Sequence, residues 1–179
     1  MIQKCSIMKV AGVFFSMPTK KHNLKEISKE SGLAHTSVKN YIEILKKDGI
    51  IREIKEKRGE RTFPLYVADV NSESYRKQKI VNNVTDILAS GLIDYLRDET
   101  MPNSIILFGS YSKGEDLEDS DVDLFVEAKE QHLDVARFES ILKRSIQLHF
   151  RESINMCPKN LRNNIINGFT LFGSTEAFG

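Results

Sequence analysis

Two aspartates separated by one residue are the strongest candidates for chemistry in this chain of 179 residues. Asp121 and Asp123 lead into the apolar run that follows them, and successive residues of a strand point to opposite faces. The two carboxylates therefore share one face, with Cα atoms about 6.5–7 Å apart at a rise of about 3.3 Å per residue. Such a pair can converge on Mg²⁺ ions, which stabilise the negative charge that develops on oxygen atoms during an in-line displacement.

A glycine and a serine precede this pair at a fixed distance. The apolar segment Ser104–Phe108 predicts a strand that runs into Gly109 and Ser110, and ten residues separate Ser110 from Asp121. Gly109 lacks a Cβ, so its backbone can approach a phosphate closely, and Ser110 offers a hydroxyl and an amide donor to the same group. Lys113 is a further candidate, because its ammonium group would neutralise phosphate charge.

The combination Gly109-Ser110, ten residues, Asp121-Val122-Asp123 resembles the nucleotidyltransferase superfamily related to DNA polymerase beta, and specifically its minimal members. The resemblance covers about residues 80–175. It implies that Gly109, Ser110 and Lys113 bind a nucleoside triphosphate and that the two aspartates are catalytic and hold Mg²⁺. It also implies transfer of AMP from ATP to a hydroxyl of a partner protein, commonly a tyrosine of a ribonuclease toxin, with this chain as the antitoxin.

One departure from the family pattern leaves a second interpretation open. The family takes a third carboxylate from a later strand, and the matching position in the predicted strand 146–150 is Gln147. Glutamine is a neutral oxygen ligand that cannot act as a general base. His149, on the same face, is an alternative ligand or base, or simply a strand residue. The chain is then either an enzyme or a regulator whose second half binds nucleotide with little or no turnover.

Two other interpretations of the acidic segment compete with a catalytic site. Positions 1, 3, 5 and 12 of a calcium loop are acidic here, but position 6, which needs glycine for its sharp turn, is Leu124. Glu127 shares the predicted face but lies about 13 Å along the strand from Asp123, too far for the same metal. We expect the four other acidic residues of the loop to be mostly solvated: Glu115, Asp116, Glu118 and Asp119.

The N-terminal residues 1–70 predict a separate module. Apolar spacing indicates three helices over about 3–16, 24–31 and 35–48, with Asn23 capping the second and Gly32 ending it. A hairpin follows, with strands on either side of a turn at 57–60. Three helices followed by a basic hairpin resemble the winged-helix family of DNA-binding domains. Ala34 departs from that family, which usually caps the third helix with Ser or Thr.

The winged-helix resemblance implies that the third helix enters the major groove of double-stranded DNA while the hairpin contacts phosphates. These charges and polar groups also fit an ordinary solvated surface, and winged helices also serve as protein-interaction modules. The candidate DNA-binding residues are Thr36, Ser37, Lys39 and Asn40 on the helix and Lys57, Arg58 and Arg61 on the hairpin.

The predicted fold class is α/β (α+β): a winged helix at 1–70, a connecting helix at 71–100 and a minimal nucleotidyltransferase domain with a small mixed sheet at 101–179. Gly91 is expected to split the connecting helix in two. Its N-terminal part is either a linker or a helix that pairs two copies of the chain in a homodimer.

Charge and composition fit two modules with different partners. Residues 1–70 carry a net charge of +6 and residues 71–179 a net charge of −5, which suggests that the first half binds a polyanion and the second holds cations. The longest stretch without a charge is 13 residues, too short for a membrane helix of about 20. Cys5 and Cys157 show no metal-type spacing, so we expect reduced thiols in a soluble cytoplasmic protein with no membrane partner.

Overall fold

The chain folds as two compact units that divide between Asn82 and Asn83. The structure, a computed structural model, describes residues 4–174, except for the side chain of Arg58. The boundary between the units lies inside one helix, Glu73–Ser90, so each unit takes half of that helix.

Unit 1 contains three helices followed by a two-stranded antiparallel hairpin. These elements are α1 (Ser6–Ser16), α2 (Leu24–Ser31), α3 (His35–Lys47), β1 (Ile51–Arg58) and β2 (Arg61–Ala68). Asn23 accepts a hydrogen bond from the Glu26 backbone while the Glu26 side chain accepts one from Asn23, which forms a capping box at the start of α2. Gly32 ends α2 in the left-handed conformation, and Ala34 gives α3 no side-chain cap. The predicted helices and hairpin are confirmed, while the winged-helix assignment stays a prediction.

The core of unit 1 gathers one face of each helix against the hairpin. Phe14, Ile27 and Val38 are fully buried there. In β2, Phe63 near the hairpin turn is 43% exposed, whereas Tyr66 and Ala68 are buried in the core. The difference arises because only the half of the hairpin nearest the helices packs on the core, while its tip extends into solvent.

A buried histidine makes unit 1 sensitive to acid. His22 is completely buried, its ring packs edge-on against Phe14, and neither ring nitrogen has a hydrogen-bond partner among the described residues. The His22 backbone N–H donates to the Tyr66 carbonyl, and the His22 carbonyl accepts from the Tyr66 N–H. These two hydrogen bonds fix the position of His22. Burial lowers the pKa of His22 below 6.5 and outweighs the raising effect of Glu30.

We expect the free energy of unfolding of unit 1 to fall as the pH drops below about 6.5, because the unfolded chain then binds a proton that folded His22 does not. The slope from this group is at most about 1.4 kcal/mol per pH unit. His22→Leu should flatten that slope in urea unfolding between pH 7.5 and 5, while His35→Leu, at an exposed position of α3, should not. Equal slopes in all three proteins would contradict this assignment.

Unit 2 is built on a four-stranded sheet with helices on both faces. Its helices are the C-terminal half of α4 (Glu73–Ser90), α5 (Leu92–Thr100), α6 (Gly109–Lys113), α7 (Ala136–Leu142) and α8 (Lys159–Ile166), with a short 3₁₀ turn at Ile154–Met156. Its strands are β3 (Ser104–Phe108), β4 (Val122–Glu127), β5 (Ile146–Arg151) and β6 (Phe169–Gly173). Gly91, with φ at +79°, separates α4 from α5, as the sequence predicts.

The sheet is mixed, with strand order β5-β4-β3-β6. β4 runs parallel to β5 and antiparallel to β3, which also pairs antiparallel with β6. One face of β4, formed by Val122, Leu124 and Val126, packs against α5 and α7, and the other face carries Phe125 against α8. The observed architecture is therefore α+β with a small mixed sheet, which fits the predicted fold class. No helix within residues 4–174 combines the length and apolar character needed to cross a membrane.

Candidate active site

The antiparallel pairing of β3 with β4 brings the glycine-serine bend against one of the two aspartates. Phe108, the last residue of β3, lies opposite Asp123 of β4, and Gly109 follows with φ at +77°. A methyl group added to Gly109 would overlap Asp123 Oδ2 and lie 3.2 Å from its Cγ. Residue 109 thus has two independent reasons to be glycine: a left-handed backbone and a carboxylate in direct contact.

The other oxygen of the Asp123 carboxylate has a partner on the neighbouring strand. His149 Nε2 lies 3.2 Å from Asp123 Oδ1, and the two side chains are 37% and 28% exposed. The His149 ring packs edge-on against the ring of Phe108, with centroids 5.1 Å apart. Asp123 Oδ1 is therefore contacted by His149 of β5, while Oδ2 lies beside the bend at Gly109.

The register of β4 and β5 places Gln147 where the sequence predicts it. Asp123 and Gln147 are direct partners in the parallel pair, and Phe125 and His149 are partners two residues on. Partner residues of a parallel pair project from the same face, so Gln147 and His149 both lie on the Asp123 side of the sheet. No carboxylate occupies the third position, and Gln147 is exposed.

The remaining predicted residues of this site differ in exposure. Asp121 directly precedes β4, two residues before Asp123, and is half-buried. Ser110 is half-buried in the first turn of α6, and Lys113, at the end of that helix, is exposed. The structure thus gathers Gly109, Ser110 and Asp123 where β3 meets α6, with Asp121 at the start of the adjacent strand.

One acidic residue of the connecting loop is not solvated, contrary to expectation. Asp116 is only 1% exposed, and its Oδ1 accepts a hydrogen bond of 2.8 Å from Asn83 of α4. Asn83 also donates to the carbonyl of Tyr111, and Arg144 lies 3.9 Å from the other Asp116 oxygen. Burial, with acidic groups nearby, raises the pKa of Tyr111, so its phenol stays neutral. This network ties the loop to α4 and to the start of β5.

Glu127 lies outside the site, as its predicted distance along β4 requires. It is buried, accepts a hydrogen bond from the Ser104 hydroxyl and a second from the Ile154 backbone, each of 3.0 Å. Both bonds join structural elements far from Asp123. Glu127 is therefore a carboxylate that stabilises the fold.

The donors present fit a magnesium ion that also binds substrate phosphates. Within residues 4–174, no group of three or more His, Cys, Asp and Glu side chains could hold a metal by itself. Magnesium, however, is usually bound through one or two carboxylates together with phosphate oxygens and waters. Asp123 offers one such carboxylate, Asp121 two residues earlier is the candidate for a second, and the cradle at Gly109 leaves the space beside Asp123 Oδ2 that a Cβ would fill.

The residues predicted to contact DNA lie on unit 1. Thr36, Lys39 and Asn40 are exposed on the first half of α3, and Ser37 is half-buried. On the hairpin, Lys57 and Arg61 are exposed, at the end of β1 and the start of β2. Arg58 pairs with Arg61 through the backbone, and its side chain lies outside the described part of the structure.

Lys46, another basic residue of α3, forms its ion pairs within unit 1. Lys46 binds Glu53 of β1 at 2.7 Å and Glu43 of α3 at 3.2 Å, and these hydrogen bonds raise its pKa. Lys46 therefore bridges α3 to the hairpin. The positive charge on the surface of the helix then comes from Lys39 and Lys47.

Comparison with known proteins shows a likeness between most of unit 2 and a protein family. Residues 91–177 match the family model described as Polymerase beta, Nucleotidyltransferase. This likeness supports the polymerase beta-like superfamily that the Gly-Ser and Asp-x-Asp pattern predicts. No curated protein and no solved structure matches the chain.

Proposed function

We propose that the chain is a metal-dependent nucleotidyltransferase that uses a nucleoside triphosphate and a hydroxyl acceptor. The proximity of the Asp123 carboxylate to the Gly109 bend carries this proposal, because a carboxylate oxygen, a preferred ligand of Mg²⁺, then lies beside a backbone that a phosphate can approach. The likeness of residues 91–177 to the family described as Polymerase beta, Nucleotidyltransferase supports this reaction class.

Each residue of the site has a defined part in this reaction. Asp121 and Asp123 hold Mg²⁺, which when bound neutralises the triphosphate and the developing charge. Gly109 and Ser110 bind the phosphates, and Lys113 adds a positive charge at the rim. The acceptor oxygen forms a bond to the α-phosphorus, the bond from that phosphorus to the bridging oxygen breaks, pyrophosphate leaves with the electron pair, and the hydroxyl proton passes to water.

The finer proposal names ATP as donor, AMP as the transferred group and a hydroxyl of a partner toxin as acceptor, with this chain as the antitoxin. Its support is the likeness of Gly109-Ser110 and Asp121-Val122-Asp123 to minimal members of the superfamily. Unit 1 adds a candidate DNA-binding module, which suits a protein that regulates its own transcription.

The test is an assay of Asp123→Asn with ATP labelled on the α-phosphate, Mg²⁺ and a cell extract as the source of acceptor. Label should appear on a protein with the wild-type chain and fall by about 10²–10³-fold in the variant, because the metal supplies several kcal/mol of charge stabilisation. Asp119→Asn, at an exposed position of the loop before β4, should transfer like the wild type. Equal transfer by Asp123→Asn and the wild type would overturn the proposal.

A second candidate function is a DNA-binding regulator whose unit 2 binds nucleotide with little turnover. Gln147, the direct partner of Asp123 in β5, favours it, because the third carboxylate of the family pattern is replaced there by a neutral amide. In the assay above, ATP binding without any labelled product, together with DNA affinity that depends on nucleotide, would support the regulator over the enzyme.

DNA binding by unit 1 is tested by salt dependence. We expect Lys39→Ala and Arg61→Ala each to weaken binding to a 30-base-pair duplex and to reduce the slope of log affinity against log salt by about 0.9 per lost phosphate contact. Fluorescence anisotropy between 50 and 200 mM salt measures both quantities. Lys29→Ala, exposed on α2, is the matched control and should leave the slope unchanged. Equal slopes for all four proteins would contradict a DNA interface on α3 and the hairpin.

A further inference from the structure

We infer that His149 is a positioning residue for Asp123: it fixes one carboxylate oxygen so that the other stays directed at the Gly109 bend. The inference rests on the proposed function, since it concerns the residue that binds the metal and nucleotide. It goes beyond that function by giving His149 a role that the family pattern does not contain.

The contact itself defines the direction of the hydrogen bond. An ionised carboxylate can only accept, so His149 Nε2 must carry the hydrogen that it donates to Asp123 Oδ1 across 3.2 Å. Asp123 Oδ2 is then left on the side of Gly109, where an added methyl group would overlap it. Asp123 Oδ1 therefore accepts the hydrogen bond from His149, while Oδ2 remains directed at the Gly109 bend.

The imidazole is itself held in place by packing. Its ring meets the ring of Phe108 edge-on at 63°, and Phe108 is only 5% exposed. Phe108 is also the register partner of Asp123 in the β3–β4 pair. Phe108 thus packs on the imidazole and is also paired through the backbone with Asp123, and its ring limits how far the His149 side chain can rotate.

The hydrogen bond between His149 and Asp123 compensates for the third carboxylate that this site lacks. With Gln147 beside Asp123 instead of a third carboxylate, fewer charged groups remain to orient the metal-binding oxygens. Hydrogen-bond partners of metal-ligating groups set ligand orientation, and their removal typically costs about 10–100-fold in metal affinity or activity. His149 lies two residues beyond Gln147 on the same face of β5, within reach of Asp123 from the diagonal position.

The test measures binding of magnesium with a non-hydrolysable ATP analogue by calorimetry at pH 8. We expect His149→Ala to bind about 10-fold more weakly than the wild type and His149→Gln, whose amide places a donor near the Nε2 position, to recover most of that loss. His132→Ala, an exposed histidine after β4, is the matched control and should bind like the wild type. Amide hydrogen exchange checks that each variant keeps the sheet.

A double variant separates positioning from a general effect. In the Asp123→Asn background, where the carboxylate is already lost, His149→Ala should weaken analogue binding by less than about 2-fold, because coupled residues are not additive. A long-range ¹H–¹⁵N spectrum of the wild type should show the Nε2–H tautomer of His149.

Three results would overturn the inference. His149→Ala could bind as tightly as the wild type while Asp123→Asn loses binding, which leaves the proposed function standing. His149→Gln could fail as fully as His149→Ala, which would give the imidazole another role. A wild-type chain that does not bind the analogue at all would overturn the proposed function together with this inference.

Discussion

Gly109→Ala is expected to lower nucleotidyl transfer by about 100-fold or more while leaving the fold of unit 2 in place. The added methyl group would overlap Asp123 Oδ2, so the carboxylate must turn away from the bend or the bend must move. A displacement of about 1 Å at a reacting centre can cost about 100-fold in rate. The labelled-ATP assay measures the loss, and calorimetry with the magnesium-bound analogue shows whether binding falls with it.

The left-handed backbone of Gly109 needs its own control, because alanine is strained there whatever surrounds it. Gly91→Ala provides one: Gly91 has nearly the same φ, +79° against +77°, and its Cβ would meet nothing within 4 Å. Both variants should lose the stability that a left-handed backbone costs alanine, and only Gly109→Ala should lose transfer. Similar transfer by both would show that the Gly109–Asp123 contact has no part in the reaction.

Glu127→Ala is expected to destabilise unit 2 by about 2–5 kcal/mol, a large share of the ~5–15 kcal/mol that holds a typical domain together. The substitution removes the acceptor of the buried Ile154 N–H and ends the hydrogen bond from Ser104. It also leaves space in a packed interior, which adds to the cost. Hydrogen exchange of the β3 and β4 amides in urea measures the change for this unit separately from unit 1.

Two further variants test the cause of that loss. Glu127→Gln keeps an acceptor oxygen and should lose about 1–2 kcal/mol. Glu130→Ala, exposed three residues later, should stay within about 0.5 kcal/mol of the wild type. If Glu127→Ala unfolds no more easily than Glu130→Ala, the two buried hydrogen bonds do not stabilise the unit.

The helices and strands could be predicted from the sequence because each of them depends on residues that lie close to it in the chain. The capping box at Asn23, the left-handed glycines at 32 and 91 and the alternation along β4 all lie within a few residues of the feature that they determine. The predicted meeting of Asp123 with the Gly109 bend also depends on local features, since an antiparallel partner strand must bring the end of β3 to the start of β4.

The burial of Asp116 could not be predicted because its partners are distant in the sequence. It stands in a run of acidic residues that look alike, and its hydrogen-bond donor Asn83 lies 33 residues earlier. Asn83 itself resembles any polar residue on the surface of a helix. Only the packing of α4 against the loop makes that one carboxylate different from Glu115 or Asp119, which are exposed.

The sequence by itself predicts two aspartates on one strand face, the glycine-serine bend before them and the absence of a carboxylate at position 147. In the structure Asp123 lies in β4 and Asp121 directly precedes that strand. The tertiary structure decided which residue of β5 reaches Asp123. Alternation fixes the face of a strand but not its register, since a slip of two residues leaves every side chain on the same side. The parallel pairing of β4 with β5 sets that register, and with it the contact between His149 and Asp123.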